Sequence, residues 1–402
     1  MNLLNRFFTR VFQKTLYIAS FFMPFKEPVI IKGEDAFVTL AKQLKMLNKH
    51  HVLIVTDNFL HNIEMDKKVY DELIKENINY SLYYDIEANP TIKQVENGVK
   101  VYKDNNCDCI VVIGGGSAID AAKGIGARVS NYKKSINKMK GLLKVTKKLP
   151  LLIAIPTTAG TGSEATLAAV ISNPETKEKF PIEDCHLIPS YAILNPSLLV
   201  NLPSHVTSTT GMDALTHAIE AYIGNSNTRN TKECAIKAIQ LMDKYLYLSY
   251  KEPTNLLYRE KTQLASYYAG VAFTRAYVGY VHAIAHTLGG FYHIPHGLAN
   301  AIILPIVLKE YGKSAHKKLA ELYDCINGNS SLSIEEKANK FIDRINELND
   351  SLDIPKDLKG KINDEDIDLM VTRAYQEAIP LYPTPELWDK DKFRKIFKIL
   401  QG

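Results

Sequence analysis

The chain has 402 residues, 46% apolar and 23% charged, which excludes a disordered, collagen-like or coiled-coil polypeptide and leaves room for two ordinary domains. Lys and Arg outnumber Asp and Glu by 49 to 44, and a net +5, scattered along the chain, does not point to nucleic acid. Five Cys, an odd number spread through a long chain, form no disulfide framework and suit a reducing, cytoplasmic setting.

The longest apolar run, residues 16–25, is too short to cross a bilayer. Phe25-Lys26-Glu27-Pro28 follows or closes it, not the small-residue cleavage site of a signal peptide. Leu4, Phe8, Phe12, Leu16 and Ala19 recur at helical spacing, which predicts an amphipathic extension over residues 1–27. Its apolar stripe is expected to pack on the protein's own body or on a sister subunit, with contact to a membrane surface as the lesser alternative.

From about residue 50 to 200, strand and helix patterns alternate. Residues 51–56 (HVLIVT), 79–84, 109–113 (CIVVI) and 149–155 (LPLLIAI) read as strands, and 59–75, 92–103 and 118–129 as helices. That alternation implies parallel βαβ units, and apolar runs without a polar face imply a sheet covered on both sides. After Pro203 the 3.6-residue period dominates and no convincing β-run follows. The expected organisation is an α/β domain over residues 28–202 and an all-α domain over 203–402.

Two loops in the first half carry chemistry. Residues 111–123 read VVIGGGSAIDAAK, a strand entering Gly114, Gly115, Gly116 and Ser117 before a helix begins. Glycines there let the backbone approach a phosphate, and the helix N-terminus offers free N–H groups and positive potential. Asp120 lies one turn into that helix and is counted with the cofactor loop. Residues 156–166 (PTTAGTGSEAT) form a second donor-rich loop after the next buried strand. Two such loops at the carboxyl edge of a parallel sheet point to a nucleotide cofactor. The wiring departs from the usual dinucleotide fingerprint, because the acidic candidate, Asp57, precedes the glycines instead of following them.

The second half carries a metal pattern. In residues 210–222 (TGMDALTHAIEAY), Asp213 and His217 share a helix face at i and i+4. In residues 281–300 (VHAIAHTLGGFYHIPHGLAN), His282 and His286 do the same, and His296 follows in a Pro-His-Gly turn. One carboxylate with several imidazoles suits Fe²⁺ or Zn²⁺ and lacks the thiolates of structural zinc.

With these motifs the chain is similar to the iron-containing (group III) alcohol dehydrogenase family over roughly residues 28–385, in the manner of its bacterial butanol and general alcohol dehydrogenases. The resemblance implies a Rossmann-like NAD(P) domain, a helical domain and a divalent metal in the cleft between them. Carried over by position, it places metal ligands at Asp213, His217, His282 and His296, and at His286 a histidine that faces the nicotinamide. Gly115, Gly116 and Ser117 match the pyrophosphate loop, and Thr157, Thr158 and Thr161 the second loop. Asp57 matches the residue facing the adenosine ribose, Asn89 and Lys179 match cofactor-side positions, and Phe273 an aromatic wall of the substrate pocket. Two positions depart from the family pattern: Asn195 replaces an acid before proline, and Ala168 replaces a polar cofactor-side residue.

The function this implies is hydride transfer between a small primary alcohol or aldehyde and NAD(P), with Fe²⁺ favoured, Zn²⁺ possible, and NAD preferred because Asp57 would repel a 2′-phosphate. His286 is the candidate for relaying the released proton. A homo-oligomer is expected from the resemblance alone. The rivals are a metal- and NAD-dependent lyase of the dehydroquinate synthase type and a non-catalytic binding protein on the same fold. The lyase needs several cations near the metal, and only Arg275 is nearby in sequence.

Overall fold

A computed structural model describes residues 1, 3–176 and 178–402. They form two compact units, Pro24–Asn201 and a second that joins Met1–Met23 to Leu202–Gly402.

In the first unit the strands are β1 (Val29–Lys32), β2 (His51–Asp57), β3 (Asn79–Ile86), β4 (Cys109–Gly114), β5 (Gly141–Leu142), β6 (Leu151–Pro156), β7 (Ala168–Asn173), β8 (Glu178–Glu183) and β9 (Tyr191–Leu194). The main sheet runs β1-β9-β6-β4-β2-β3, every pair parallel. Its central strands feed two cores. Leu53, Val55, Ile110 and Val112 turn to one face, and Val52, Ile54, Val111 and Ile113 to the other. This is why their sequences show no alternation: both faces are apolar. The chain steps outward from β2 to β3 and returns to the other side of β2 for β4, so the strand order reverses between β2 and β4. A crevice for a ligand opens at the carboxyl ends of strands at such a reversal. Asp57 ends β2 and Gly114 ends β4.

Two differences from the expected elements stand out. The stretch 59–75 is two helices, Asn58–Asn62 and Lys67–Lys75, parted where Glu64 takes φ 55° and Asp66 accepts from His61 Nδ1 at 2.8 Å. The small sheet β5-β8-β7, the edge strand β1 and its neighbour β9 are not among the expected strands. β1, β5 and β9 are short and their partners are remote in sequence, whereas β7 and β8 pair antiparallel as neighbours in the chain.

The second unit is helical: α1 (Leu3–Ser20), α2 (Ser204–Ile223), α3 (Arg229–Lys251), α4 (Leu256–Ala276), α5 (Tyr280–Tyr292), α6 (His296–Tyr311), α7 (Lys313–Asn327), α8 (Ile334–Ser351), α9 (Ile367–Ala378) and α10 (Lys390–Gln401). Its centre is α2, buried almost continuously from Thr207 to Ile223 and packed on α3, α4 and α6. No helix among the described residues is long and apolar enough to cross a membrane.

The apolar stripe of α1 does not pack on the protein's own body, one of the two placements expected for it. Leu4, Phe8 and Phe12 are exposed, whereas Thr9, Gln13 and Ser20 are buried. The irregular segment after α9 supplies the reason. Arg10 donates to the carbonyls of Thr384 (2.9 Å) and Pro385 (3.1 Å), and Gln13 Nε2 to those of Pro380 (3.0 Å) and Tyr382 (2.8 Å). Carbonyls left without a donor cost about 1–3 kcal/mol each on burial, so the polar side of α1 docks there and the apolar side faces out.

Candidate metal and cofactor sites

The helical unit draws four donors together. On α2, Asp213 and His217 stand one turn apart; His282 comes from α5, and His296 is the first residue of α6. The start of α6 reaches α2 only because residue 297 is glycine: a Cβ there would lie 2.3 Å from the Thr209 carbonyl oxygen. One ligand atom from each of Asp213, His217, His282 and His296 lies within 4.8 Å of the others.

The lone pairs of these atoms converge. Asn300 Nδ2 donates to Asp213 Oδ1 at 2.7 Å and lies 3.2 Å from His282 Nε2 and 3.1 Å from His296 Nε2. A single amide donor facing three acceptors marks a point where a cation would be held. His217 Nδ1 is buried with no hydrogen-bond partner, a cost that a bound ion would relieve. Burial lowers the pKa of His217, and lowers that of His282 far more, so both stay in the neutral, metal-binding form. One carboxylate and three imidazoles, with Asp213, His217 and His282 buried and His296 partly exposed, fit Fe²⁺ or Zn²⁺.

Sequence reasoning missed two side chains here. Glu220, one turn beyond His217, is buried and accepts from the N–H groups of Gly279 (2.9 Å) and Val281 (2.8 Å) and from His282 Nδ1 (2.5 Å). It therefore ties the start of α5 to α2 and fixes the tautomer that leaves His282 Nε2 unprotonated. Its signal was an acid at i+7 from Asp213 on an apolar helix. The other is Glu377 on α9, whose Oε1 lies 2.6 Å from His286 Nδ1 and accepts from the Tyr382 hydroxyl at 2.8 Å. Nothing in the sequence pairs residues 91 positions apart.

His286 itself is half exposed, with its ring parallel to that of His296 at 5.0 Å. Phe273 stacks on the His217 imidazole at 4.1 Å. Both of these predicted residues therefore stand against the donor cluster.

In the α/β unit the two predicted loops touch. The Thr157 N–H donates to the Gly114 carbonyl at 3.0 Å. A Cβ on Gly116 would lie 2.9 Å from Thr161, and one on Gly115 3.6 Å from Thr158, so the glycines admit the second loop. The helix Gly116–Ser130 opens at this point with Gly115 as its cap, presenting its first N–H groups. Ser117, Asn89 and Lys179 meet beside it: the Asn89 N–H donates to Ser117 Oγ at 3.3 Å, and Lys179 donates to Asn89 Oδ1 at 2.5 Å. Asp57 caps the next helix by accepting from the Leu60 N–H at 2.9 Å through one oxygen.

Asp120 is placed differently from the residues around it. Its oxygens accept from Ser163 Oγ (2.8 Å) and from the Val170 N–H (2.9 Å), so it joins the loops to each other. Lys123, buried, donates to Ser163 Oγ, Thr166 and the Ala168 carbonyl and reinforces that tie. Burial lowers Lys123 to about 8 and raises Glu164 to about 7. Asn195, one of the two departures, caps a short turn by accepting from the Ser197 N–H at 3.0 Å.

Known proteins share these features. The profile for "Iron-containing alcohol dehydrogenase" matches residues 28–196, and that for "Fe-containing alcohol dehydrogenase family, C-terminal" matches residues 207–400. Alcohol dehydrogenase 4 of Saccharomyces cerevisiae is 36% identical over 384 residues, 95% of this chain and 98% of its own length. The NAD-dependent methanol dehydrogenase of Bacillus methanolicus is 35% identical over 363 residues, 90% of this chain and 94% of its own. The solved structure of a 1,3-propanediol oxidoreductase aligns with a TM-score of 0.90 at 34% identity, over 94% of this chain and 99% of that one. The chain belongs to the iron-containing alcohol dehydrogenase family, and its chemistry is that of an oxidoreductase acting on alcohols.

Proposed function

We propose that this protein interconverts small primary alcohols and their aldehydes with NAD as the preferred hydride carrier and Fe²⁺ as the resident metal. The observation that carries the reading is the convergence of Asp213, His217, His282 and His296 on one point. An ion held there supplies Lewis acidity, which brings the pKa of an alcohol toward neutrality. A nicotinamide supplies the hydride acceptor.

The chain's own residues do the rest. Asp213 and the three imidazoles would hold the ion, and Glu220 keeps His282 in its donor tautomer. Glu377 holds His286 by Nδ1 and so orients a half-exposed ring that would relay the released proton outward. Gly114, Gly115, Gly116 and Ser117, with Thr157, Thr158 and Thr161, offer small, donor-rich surfaces to a pyrophosphate, with Asn89 and Lys179 at their flank. Asp57 Oδ2, the oxygen not used in its cap, would accept from a ribose 2′-hydroxyl and repel a 2′-phosphate. Cofactor and metal duties divide between residues 28–202 and 203–402 in this reading.

A small neutral substrate is favoured over the anionic one a lyase requires. Arg275 is engaged elsewhere, donating to the Ser20 carbonyl at 3.5 Å with its guanidinium 4.8 Å over the Phe21 ring. The test is aldehyde-dependent oxidation of NADH and NADPH by metal-stripped protein refilled anaerobically with Fe²⁺ or Zn²⁺. The expected result is metal-dependent turnover of short aldehydes, faster with NADH. Full metal binding without turnover of any small aldehyde or ketone would overturn the reading.

A further inference from the structure

Helix α1 belongs to neither site, and the profile matched by the first unit begins only at residue 28. Its polar side is nevertheless fastened to the segment that backs His286. Residues 379–389, between α9 and α10, have no regular secondary structure, yet Tyr382, Pro383 and Thr384 within them are buried. Buried irregular backbone needs donors. Gln13 Nε2 serves the carbonyls of Pro380 (3.0 Å) and Tyr382 (2.8 Å), and Arg10 Nη1 donates to Gln13 Oε1 at 2.9 Å, which turns the amide nitrogen toward those carbonyls.

We propose that Gln13 is a positioning residue for the reaction: it holds residues 380–382 so that the Tyr382 hydroxyl keeps Glu377, and through it the His286 ring, in one orientation. The inference rests on the reading of His286 as the proton relay. Glu377 Oε1 takes both bonds, from the Tyr382 hydroxyl at 2.8 Å and from His286 Nδ1 at 2.6 Å, so a shift of the hydroxyl shifts the oxygen that orients the ring. A pair between side chains as exposed as His286 (45%) and Glu377 (33%) is weakly held in water. The fixed member of the chain is the buried one. Tyr382 is 8% exposed and Gln13 behind it 5%.

The helix that carries Gln13 cannot slide along this segment. On one side Arg6 donates to the Leu387 carbonyl at 3.2 Å and Arg10 to those of Thr384 and Pro385. On the other, the Tyr17 hydroxyl donates to the Asn227 carbonyl at 3.4 Å, and Arg275 to that of Ser20 at 3.5 Å. Gln13 therefore acts from a support pinned at both ends, as precise placement of a distant ring requires.

The test is steady-state reduction of a short aldehyde by the Fe²⁺-loaded full chain and its Gln13→Leu, Tyr382→Phe and doubly substituted variants, with metal content and circular dichroism measured on each. Gln13→Leu should lower kcat about tenfold, while metal content and the KM for aldehyde and for NADH stay within about twofold of the parent. Its solvent deuterium isotope effect on kcat should rise, because a misdirected ring makes proton transfer limiting, a change that general loosening of the fold does not produce. Tyr382→Phe should reproduce both changes. The double variant should fall no further than the slower single one, since both act through Glu377. Gln13→Ser, which admits water to the two carbonyls, takes the place of Gln13→Leu if that variant fails to fold, with the same signature expected. A parent kcat and isotope effect in the Gln13 variant, or multiplied losses in the double variant, would overturn the proposal and leave the proposed function standing. A parent that binds metal but reduces no aldehyde would overturn that function, and this inference with it.

Discussion

The donor cluster of the helical unit is built from ionisable side chains on three helices, whereas the loops of the α/β unit offer backbone N–H groups and hydroxyls that rest against one another. In the first, each group is nearly irreplaceable. Asp213, His282 and His296 share one amide donor, and Glu220 alone holds both His282 and the start of α5. In the second, the load is spread: Gly114, Gly116, Thr157 and Thr161 meet through close approach and one backbone bond, backed by Asp120 and Lys123. A cation demands a few strong ligands at fixed points, and a pyrophosphate accepts many weak donors. Concentrated and distributed construction follow from that difference in ligand.

Substitution should expose it. His282→Ala removes a ligand, so bound metal should be lost and turnover should fall by about 10³-fold or more, with the fold retained in circular dichroism. Wild-type metal content in that variant would break the comparison. Glu220→Gln keeps an acceptor for the backbone but weakens the hold on His282, and metal affinity in a chelator competition should drop about 10- to 100-fold. The KM for NADH should stay put. Gly116→Ala tests the other side. Its Cβ would press on Thr161, raising the KM for NADH by roughly tenfold, or about 1.4 kcal/mol, with metal content unchanged.

A further effect concerns pH. Glu164 is pushed by burial from 4.5 to about 7 in the folded chain. The folded protein therefore holds a proton that the unfolded chain releases in that interval. The stability this contributes is complete below pH 4.5 and is lost as pH rises through about 7. Urea unfolding between about pH 5 and pH 8 should show a decline that Glu164→Gln flattens by about 2 kcal/mol. An identical decline in the variant would remove Glu164 as its source.

Much of this was legible in advance, for local reasons. The buried strands β2, β4 and β6 announce themselves as unbroken apolar runs, since each must satisfy two cores. The pairs Asp213–His217 and His282–His286 follow from helix geometry alone. What escaped were partnerships at long range. Glu377 finds His286 across 91 residues, and β1 and β5 pair with β9 and β8 only because the chain returns to them. The division of 59–75 into two helices rests on Glu64 and Asp66, neither a strong breaker by type.

Helix α1 shows most clearly where the two kinds of information part. The sequence by itself determined that residues 3–20 form a helix with one apolar side, because periodicity is a property of neighbours along the chain. It likewise determined the α/β-then-helical order, the glycine loop and five candidate donors, Asp213, His217, His282, His286 and His296. Which side of α1 turns inward was decided by carbonyls of residues 380–387, nearly the whole chain away, that needed donors more than the core needed another apolar stripe. The convergence of the donors was decided in the same way. Type and spacing offered the candidates, the family resemblance chose four of them, and only the packing of α2, α5 and α6, with Gly297 allowing the approach, brought those four to one point.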